Sequence, residues 1–226
     1  MKTTTNSRRT FLSSVALGAA AGGLSILSNP LHAANMKFSP AEKHEAEKWL
    51  EGIKGTQRVI YDGSTPHDGF PIVWNWAFYL TNNQTGVPDE DITAVTVLRH
   101  SAIGFALDSS VWEKYKLGEF FLLNENSTGK PLLRNPMYEP QEGDMPLPPI
   151  QGIKDLQARG AMFCVCDLAL NVYGGFVAQA HGKDPAAVYQ DFKNAVLPGI
   201  QVVPSGVWAL GRAQQHHNCA YIFAGN

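Results

Sequence analysis

The chain has 226 residues, of which 44% are hydrophobic and 17% are charged, and its formal net charge is -2. A chain of this length and composition can bury a substantial core, which argues against disorder and against a coiled coil. Its 18 basic residues do not exceed its 20 acidic residues, which argues against nucleic acid as a partner. The three cysteines cannot form a disulfide framework, because at least one stays unpaired in a monomer.

Residues 1–34 have the features of a bacterial twin-arginine export signal. Arg8 and Arg9 precede a weakly apolar run from Val15 to Leu27, which is too short and too rich in glycine to span a bilayer. The pattern predicts export to the periplasm by the twin-arginine machinery, cleavage near Ala34 and no permanent membrane anchor. Cleavage removes three basic and no acidic residues, so the net charge of the mature domain, residues 35–226, becomes -5.

Helical and strand patterns alternate through the mature domain. Ser39–Glu42 is a capping box, which predicts a helix that ends near Ile53. Five short apolar segments predict strands: Arg58–Tyr61, Thr93–Leu98, Ala161–Cys166, Ile200–Val203 and Ala220–Phe223. Helices are predicted between them, over Ile72–Leu80, Ser110–Lys116, Ile153–Arg159, Leu168–Ala180, Asp184–Val196 and Ser205–His216. This alternation predicts one α/β domain of parallel βαβ units, with helices on both faces of the sheet.

Several local signals refine this organisation. Residues 124–149 are rich in proline and poor in apolar residues, which predicts a long inserted loop. Asp167 and Ser205 are predicted helix N-caps, and Gly174–Gly175 is a predicted site of close helix packing. Cys164, inside a buried strand, is predicted to be a core residue.

Candidate site residues follow from the expected sheet. Ligands of an open parallel sheet bind at the carboxyl ends of the strands, where the connecting loops converge. That position is occupied by Asp62–Asp68 after the first strand, Arg99–Ser101 after the second, Cys166 and Asp167 at the end of the third, and Pro204–Gly206 after the fourth. Neither usual glycine-rich nucleotide-binding motif is present in the sequence, and no cofactor is predicted.

Cys166 is the candidate nucleophile among these residues. It lies at a strand end and at the start of a helix, where free amides and the helix dipole stabilise a thiolate, although Asp167 opposes this effect. The alternative is a small buried side chain that completes the strand. His100 could act on the thiol as a base or a cation, or could be a hydrogen-bonded loop residue. Arg99 could bind an anionic substrate or lie on the surface, and Ser205 is interpreted chiefly as an N-cap.

His216, His217 and Cys219 bring three potential metal ligands close together in the sequence. Adjacent histidines at a helix end point in different directions, and no second pair of ligands follows at a familiar spacing. The sequence therefore predicts no metal site, with these three residues as the weaker alternative.

Several short motifs, taken together and in this order, resemble the DsrE/DsrF-like family. They are Val97–Ile103, Trp112–Glu119, Cys166–Leu170, Leu197–Gly199 and Val203–Gln214. The resemblance covers nearly all of the mature chain. It implies a three-layer α/β/α sandwich with a five-stranded, mainly parallel sheet, and it implies assembly into trimers or hexamers.

The resemblance also implies a function for the candidate cysteine. In the sulfur-relay members of that family, a cysteine after a central strand carries sulfur as a persulfide, and Cys166 is the matching position. Three hypotheses follow: a periplasmic sulfur-handling protein, a non-enzymatic oligomeric module that binds a small ligand, and a metal- or haem-binding protein. The first names Cys166 and His100 as catalytic residues and a small sulfur compound as substrate.

Overall fold

Residues 44–226, which the computed structural model describes, are organised around a five-stranded sheet. The strands are β1 (Gln57–Gly63), β2 (Ile92–Leu98), β3 (Met162–Cys166), β4 (Ile200–Val203) and β5 (Ala220–Phe223). Their order is β4-β3-β2-β1-β5, and every pair of neighbours is parallel. The predicted α/β class and all five predicted strands are confirmed. Arg8, Arg9, the predicted signal and the capping box at 39–42 lie outside the described residues.

Eight α-helices accompany the sheet in the described part of the chain. They are α1 (Glu45–Leu50), α2 (Phe70–Gln84), α3 (Ser109–Tyr115), α4 (Leu117–Phe120), α5 (Ile153–Ala158), α6 (Asp167–His181), α7 (Pro185–Asn194) and α8 (Gly206–His217). Short 3-10 turns cover His67–Gly69, Asp89–Asp91 and His100–Ala106. Among the described residues, none of these helices is both long enough and apolar enough to cross a membrane.

The helices lie on both faces of the sheet, because the chain reverses its direction once. From β1 to β4 each strand is added on the same side of the last, whereas the crossover from β4 returns to β5 beside β1. Right-handed crossovers therefore place α8 on the face opposite to α2 and α6. Two separate buried clusters match this arrangement. One contains Leu50 of α1 and Ala209 of α8, and the other contains Ile72 of α2 and Leu170 of α6.

Strand burial follows from the position of each strand in the sheet. All seven residues of β2 are buried, as its nearly continuous apolar sequence predicts for a strand covered on both faces. In contrast, all four residues of β5, at one edge of the sheet, are exposed, whereas none is exposed in β4 at the other edge. Tyr221, Ile222 and Phe223 therefore present apolar surface to solvent.

The proline-rich segment is held to the domain by specific polar contacts. The buried amide of Asn135 donates to the carbonyl groups of Phe105 and Leu107, at 2.8 and 2.9 Å, and accepts the amide of Met137. An isolated bridge between Asn124 and Pro131 is the one piece of strand-like pairing in residues 124–149, and the predicted loop is confirmed.

Candidate functional site

The predicted site residues lie together at the carboxyl ends of the strands. Leu98, the residue before Arg99, pairs with Val165, and Cys166 pairs with Val203, just before the loop that contains Ser205. The chain leaves β3 for α6 on one face and leaves β4 for α8 on the other. The position between these two diverging loops, called the crevice below, is where ligands bind in open parallel sheets.

Cys166 is the N-cap of α6, a helix of 15 residues. Its backbone is still extended, and its Sγ accepts a hydrogen bond from the amide of Ala169 at 3.3 Å. The amide and the positive end of the helix dipole favour negative charge on this sulfur. Only 6% of the residue is exposed, so the side chain has a structural role at the buried end of β3.

The prediction that Asp167 caps α6 is wrong, because β3 continues to Cys166 and Asp167 is already the first helical residue. Its carboxylate instead accepts hydrogen bonds from Tyr189 at 2.8 Å and Lys193 at 2.9 Å, both on α7. The ion pair with Lys193 offsets the negative charge that would otherwise oppose a thiolate at the neighbouring residue. Gly174 has the predicted packing role, because an added Cβ would lie 3.3 Å from the Tyr189 backbone.

Arg99 forms a bidentate ion pair with Asp62 at the end of β1. Its Nε and Nη2 donate to the two carboxylate oxygens at 2.6 and 2.9 Å, and Tyr221 of β5 donates to the same carboxylate at 2.9 Å. Asp62 raises the pKa of Arg99 through these hydrogen bonds, and a negative charge on Cys166 acts in the same direction. The guanidinium therefore lies within electrostatic range of the cysteine, although its Nε and Nη2 donors are already bonded to Asp62.

The close approach of Arg99 to α8 explains a glycine in the sequence. A Cβ added to Gly206 would lie 2.7 Å from the Arg99 Cβ, well inside van der Waals contact. Ser205, just before it, caps α8 by accepting the Trp208 amide at 3.2 Å, which confirms the predicted N-cap. Its hydroxyl already serves the helix, so Ser205 borders the crevice without a free side-chain role.

His100 begins the turn that follows β2, and its φ of 49° lies in the left-handed region. The ring is 3.1 Å from the hydroxyl of Tyr173 on α6 and 3.2 Å from that of Ser101. Partial burial and the charge of Arg99 lower the pKa of His100 below its usual 6.5. The imidazole is therefore mostly neutral at pH 7, which suits a proton acceptor better than the cation that the sequence left open.

The three metal-ligand candidates at the end of α8 lie at the opposite end of the strands, next to the amino end of β5. His216 bonds to Arg212 at 2.9 Å, and Cys219 is buried, which raises its pKa to about 11. Within residues 44–226, no three His, Cys, Asp or Glu side chains are grouped so that they could hold a metal ion. Cys164 is buried in the core as predicted, and burial raises the pKa of its thiol.

Sequence reasoning places Asp62 at the same strand ends as Arg99, but it misses which side chains contact each other. Asp62 and Tyr221 belong to strands that flank each other in the sheet but are 159 positions apart in the chain. Tyr173 contacts His100 only because α6 packs against the turn after β2. Asp62 is thus predicted at the site by the strand-end rule, whereas Tyr173 and Tyr221 are not, because no local pattern identifies them.

Comparison with family models, with curated proteins and with solved structures finds no match to this chain. The resemblance to DsrE/DsrF-like proteins therefore stays a prediction that rests on the short motifs.

Proposed function

We propose that this protein carries sulfur as a persulfide on Cys166, in the periplasm. The position of the thiol is the main support, because Sγ caps α6 and accepts an amide hydrogen bond at 3.3 Å. Free amides at a helix N-terminus stabilise a thiolate in general, and the thiolate is the form of cysteine that attacks sulfur. His100 follows the neighbouring strand and contacts Tyr173 of α6, the helix that Cys166 caps, and we assign to it the acceptance of the thiol proton.

The proposed reaction needs no external oxidant or reductant. With thiosulfate as donor, the Cys166 thiolate attacks the outer sulfur and forms a new S–S bond. The S–S bond of thiosulfate breaks, and sulfite leaves with the electron pair. The resulting persulfide then passes its outer sulfur to an acceptor thiolate by the same exchange. Because Cys166 is 6% exposed, the crevice favours a small donor that reaches between α6 and α8.

The experiment is mass spectrometry of the intact protein after exposure to thiosulfate or polysulfide. We expect the wild type and the Cys219→Ser control to gain sulfur, and Cys166→Ser to gain none. Serine is a good N-cap, so the Cys166→Ser variant should keep α6 and its stability. Sulfur uptake by Cys166→Ser, or its absence from the wild type, would contradict the proposal.

The second candidate is a non-enzymatic oligomeric module that binds a small ligand in the same crevice. The exposed apolar residues Leu168 and Val207, in the first turns of α6 and α8, favour this candidate, since apolar rims suit ligand binding. The exposed edge strand β5 supports a homo-oligomer, which the family resemblance implies to be a trimer or hexamer. Native mass spectrometry measures the assembly, and ligand binding that is equal in Cys166→Ser and wild type would favour this candidate.

Export is tested separately through the twin arginines. We expect replacement of Arg8 and Arg9 by lysine to keep the protein in the cytoplasm, whereas the wild type reaches the periplasm. Equal periplasmic amounts of both proteins in cell fractions would contradict twin-arginine export.

A further inference from the structure

A cavity of ≈ 300 Å³ lies between the loop after β1 and the proline-rich segment. Its apolar lining includes Phe70, Phe105, Leu122 and Met137. This volume is at the lower end of the range for sites that bind small molecules, which are mostly apolar with a few polar groups. The candidate residues Arg99, His100, Cys166 and Ser205 are not among the described residues that line it.

The walls of the cavity are fixed by polar contacts, some of which are made by residues that line it. The guanidinium of Arg134 forms two hydrogen bonds of 2.8 Å with Asp144, and Asn126 donates to the Gly143 carbonyl at 2.9 Å. Asn135 fastens the Met137 wall to the core through the contacts described above. A site held in this way loses little conformational entropy when a ligand binds.

Strained backbone borders the cavity on two sides. His67, Asp68 and Gly69 have successive φ values of 42°, 50° and 84°, and Leu122 has a φ of 58°. Leu122 is 83% exposed. Both this exposure and a left-handed backbone are unfavourable for a bulky apolar residue. Gly69 cannot be replaced simply, because an added Cβ would lie 2.7 Å from the Met137 sulfur. Such strain is more common at ligand-binding sites than elsewhere.

The polar lining is acidic. Asp68, Glu125 and Asp144 contribute carboxylates, and none of the described residues that line the cavity is basic. Arg134 neutralises Asp144, as its two hydrogen bonds show. Asp68 and Glu125 therefore leave uncompensated negative charge beside an apolar floor.

We propose that this cavity binds a small organic cation, an amine with an apolar body. The apolar body would contact Phe70, Leu122 and Met137, and the ammonium group would lie near Asp68 and Glu125. The site does not depend on the proposed chemistry of Cys166, because none of that residue's contacts forms part of it.

The test compares three probes of similar size, benzylammonium, benzyl alcohol and benzoate, by titration calorimetry and NMR on the purified protein. We expect benzylammonium to bind more tightly than benzyl alcohol and benzoate to bind weakest. Asp68→Asn and Glu125→Gln should each weaken benzylammonium about fivefold, the effect of one nearby charge in a solvated site. Leu122→Ala should weaken benzylammonium and benzyl alcohol alike.

Two controls make the result specific. Glu142→Gln removes an exposed carboxylate from the same segment but outside the cavity, and it should leave affinity unchanged. Cys166→Ser should bind benzylammonium as the wild type does, so failure of the persulfide proposal would not affect this one. Equal affinity for benzylammonium and benzyl alcohol, an equal effect of Asp68→Asn and Glu142→Gln, or no binding at millimolar probe would overturn the proposal.

Discussion

The ion pair between Arg99 and Asp62 predicts unequal costs for removing its two partners. The Asp62 side chain is 4% exposed, whereas that of Arg99 is 25% exposed. In Arg99→Met, a buried carboxylate keeps only the Tyr221 hydroxyl among the partners described here. In Asp62→Asn, the guanidinium can still be hydrated, and the asparagine oxygen can still accept a hydrogen bond.

The magnitudes follow from this difference in burial. Loss of one partner from a buried pair costs about 3–5 kcal/mol, which we expect for Arg99→Met. A weakened hydrogen bond at a partly exposed group costs about 1–2 kcal/mol, which we expect for Asp62→Asn. The double variant Arg99→Met/Asp62→Asn should be more stable than Arg99→Met alone, since it removes the isolated charge.

Urea unfolding at pH 7.5, followed by tryptophan fluorescence, measures these free energies of unfolding. Glu45→Gln is the control, because it removes one partner of the exposed pair with Lys48 and should leave the unfolding midpoint unchanged. The reasoning is refuted if Asp62→Asn costs more than Arg99→Met, or if the double variant is the least stable of the three.

Three further predictions concern parts of the fold away from this pair. Gly118→Ala should destabilise the protein by about 2–4 kcal/mol, because the new Cβ would lie 2.1 Å from the Leu132 carbonyl oxygen. Gly211→Ala, in the open middle of α8, should stabilise it by about 0.5–1 kcal/mol. Urea unfolding midpoints that shift in the same direction in both variants would contradict this. Burial lowers the pKa of His217 below 6.5, so near and below pH 6.5 the folded state binds fewer protons than the unfolded state. The stability should therefore fall as the pH drops below about 6.5. His217→Gln should reduce this pH dependence, which a pH series of unfolding midpoints measures. Asp184→Ala should cost about 1 kcal/mol through loss of the α7 N-cap, and an unchanged melting temperature would show that the cap contributes little.

The parts of the fold that the sequence predicts well depend on local patterns. The apolar run of β2 and the Asp184–Pro185 start of α7 each specify their structure within a few residues. The N-cap of α6 shows the limit of such signals. Aspartate is the commoner capping residue, so the sequence favours Asp167, but the capping position is fixed by where β3 ends. That end depends on pairing with β4 at Val203, which is distant in sequence.

The candidate site likewise has features that local patterns predict and features that depend on pairing between distant strands. The strand-end rule places Arg99 and Cys166 at one edge from sequence alone, because it needs only the element order. The partners depend on register and strand order. Asp62 meets Arg99 because β1 and β2 pair so that Gly63 lies opposite Leu98, and Tyr221 reaches Asp62 because β5 returns to the far side of β1. No local pattern contains either fact.

These partners change which group favours the thiolate. Asp62 compensates the charge of Arg99, and Lys193 compensates that of Asp167, so neither neighbouring side chain leaves a full net charge near Cys166. The uncompensated positive potential at Sγ is then that of the α6 N-terminus, through the Ala169 amide. Reactivity of Cys166 should therefore depend more on the intact first turn of α6 than on Arg99, whose main effect is on the stability of the strand ends that form the crevice.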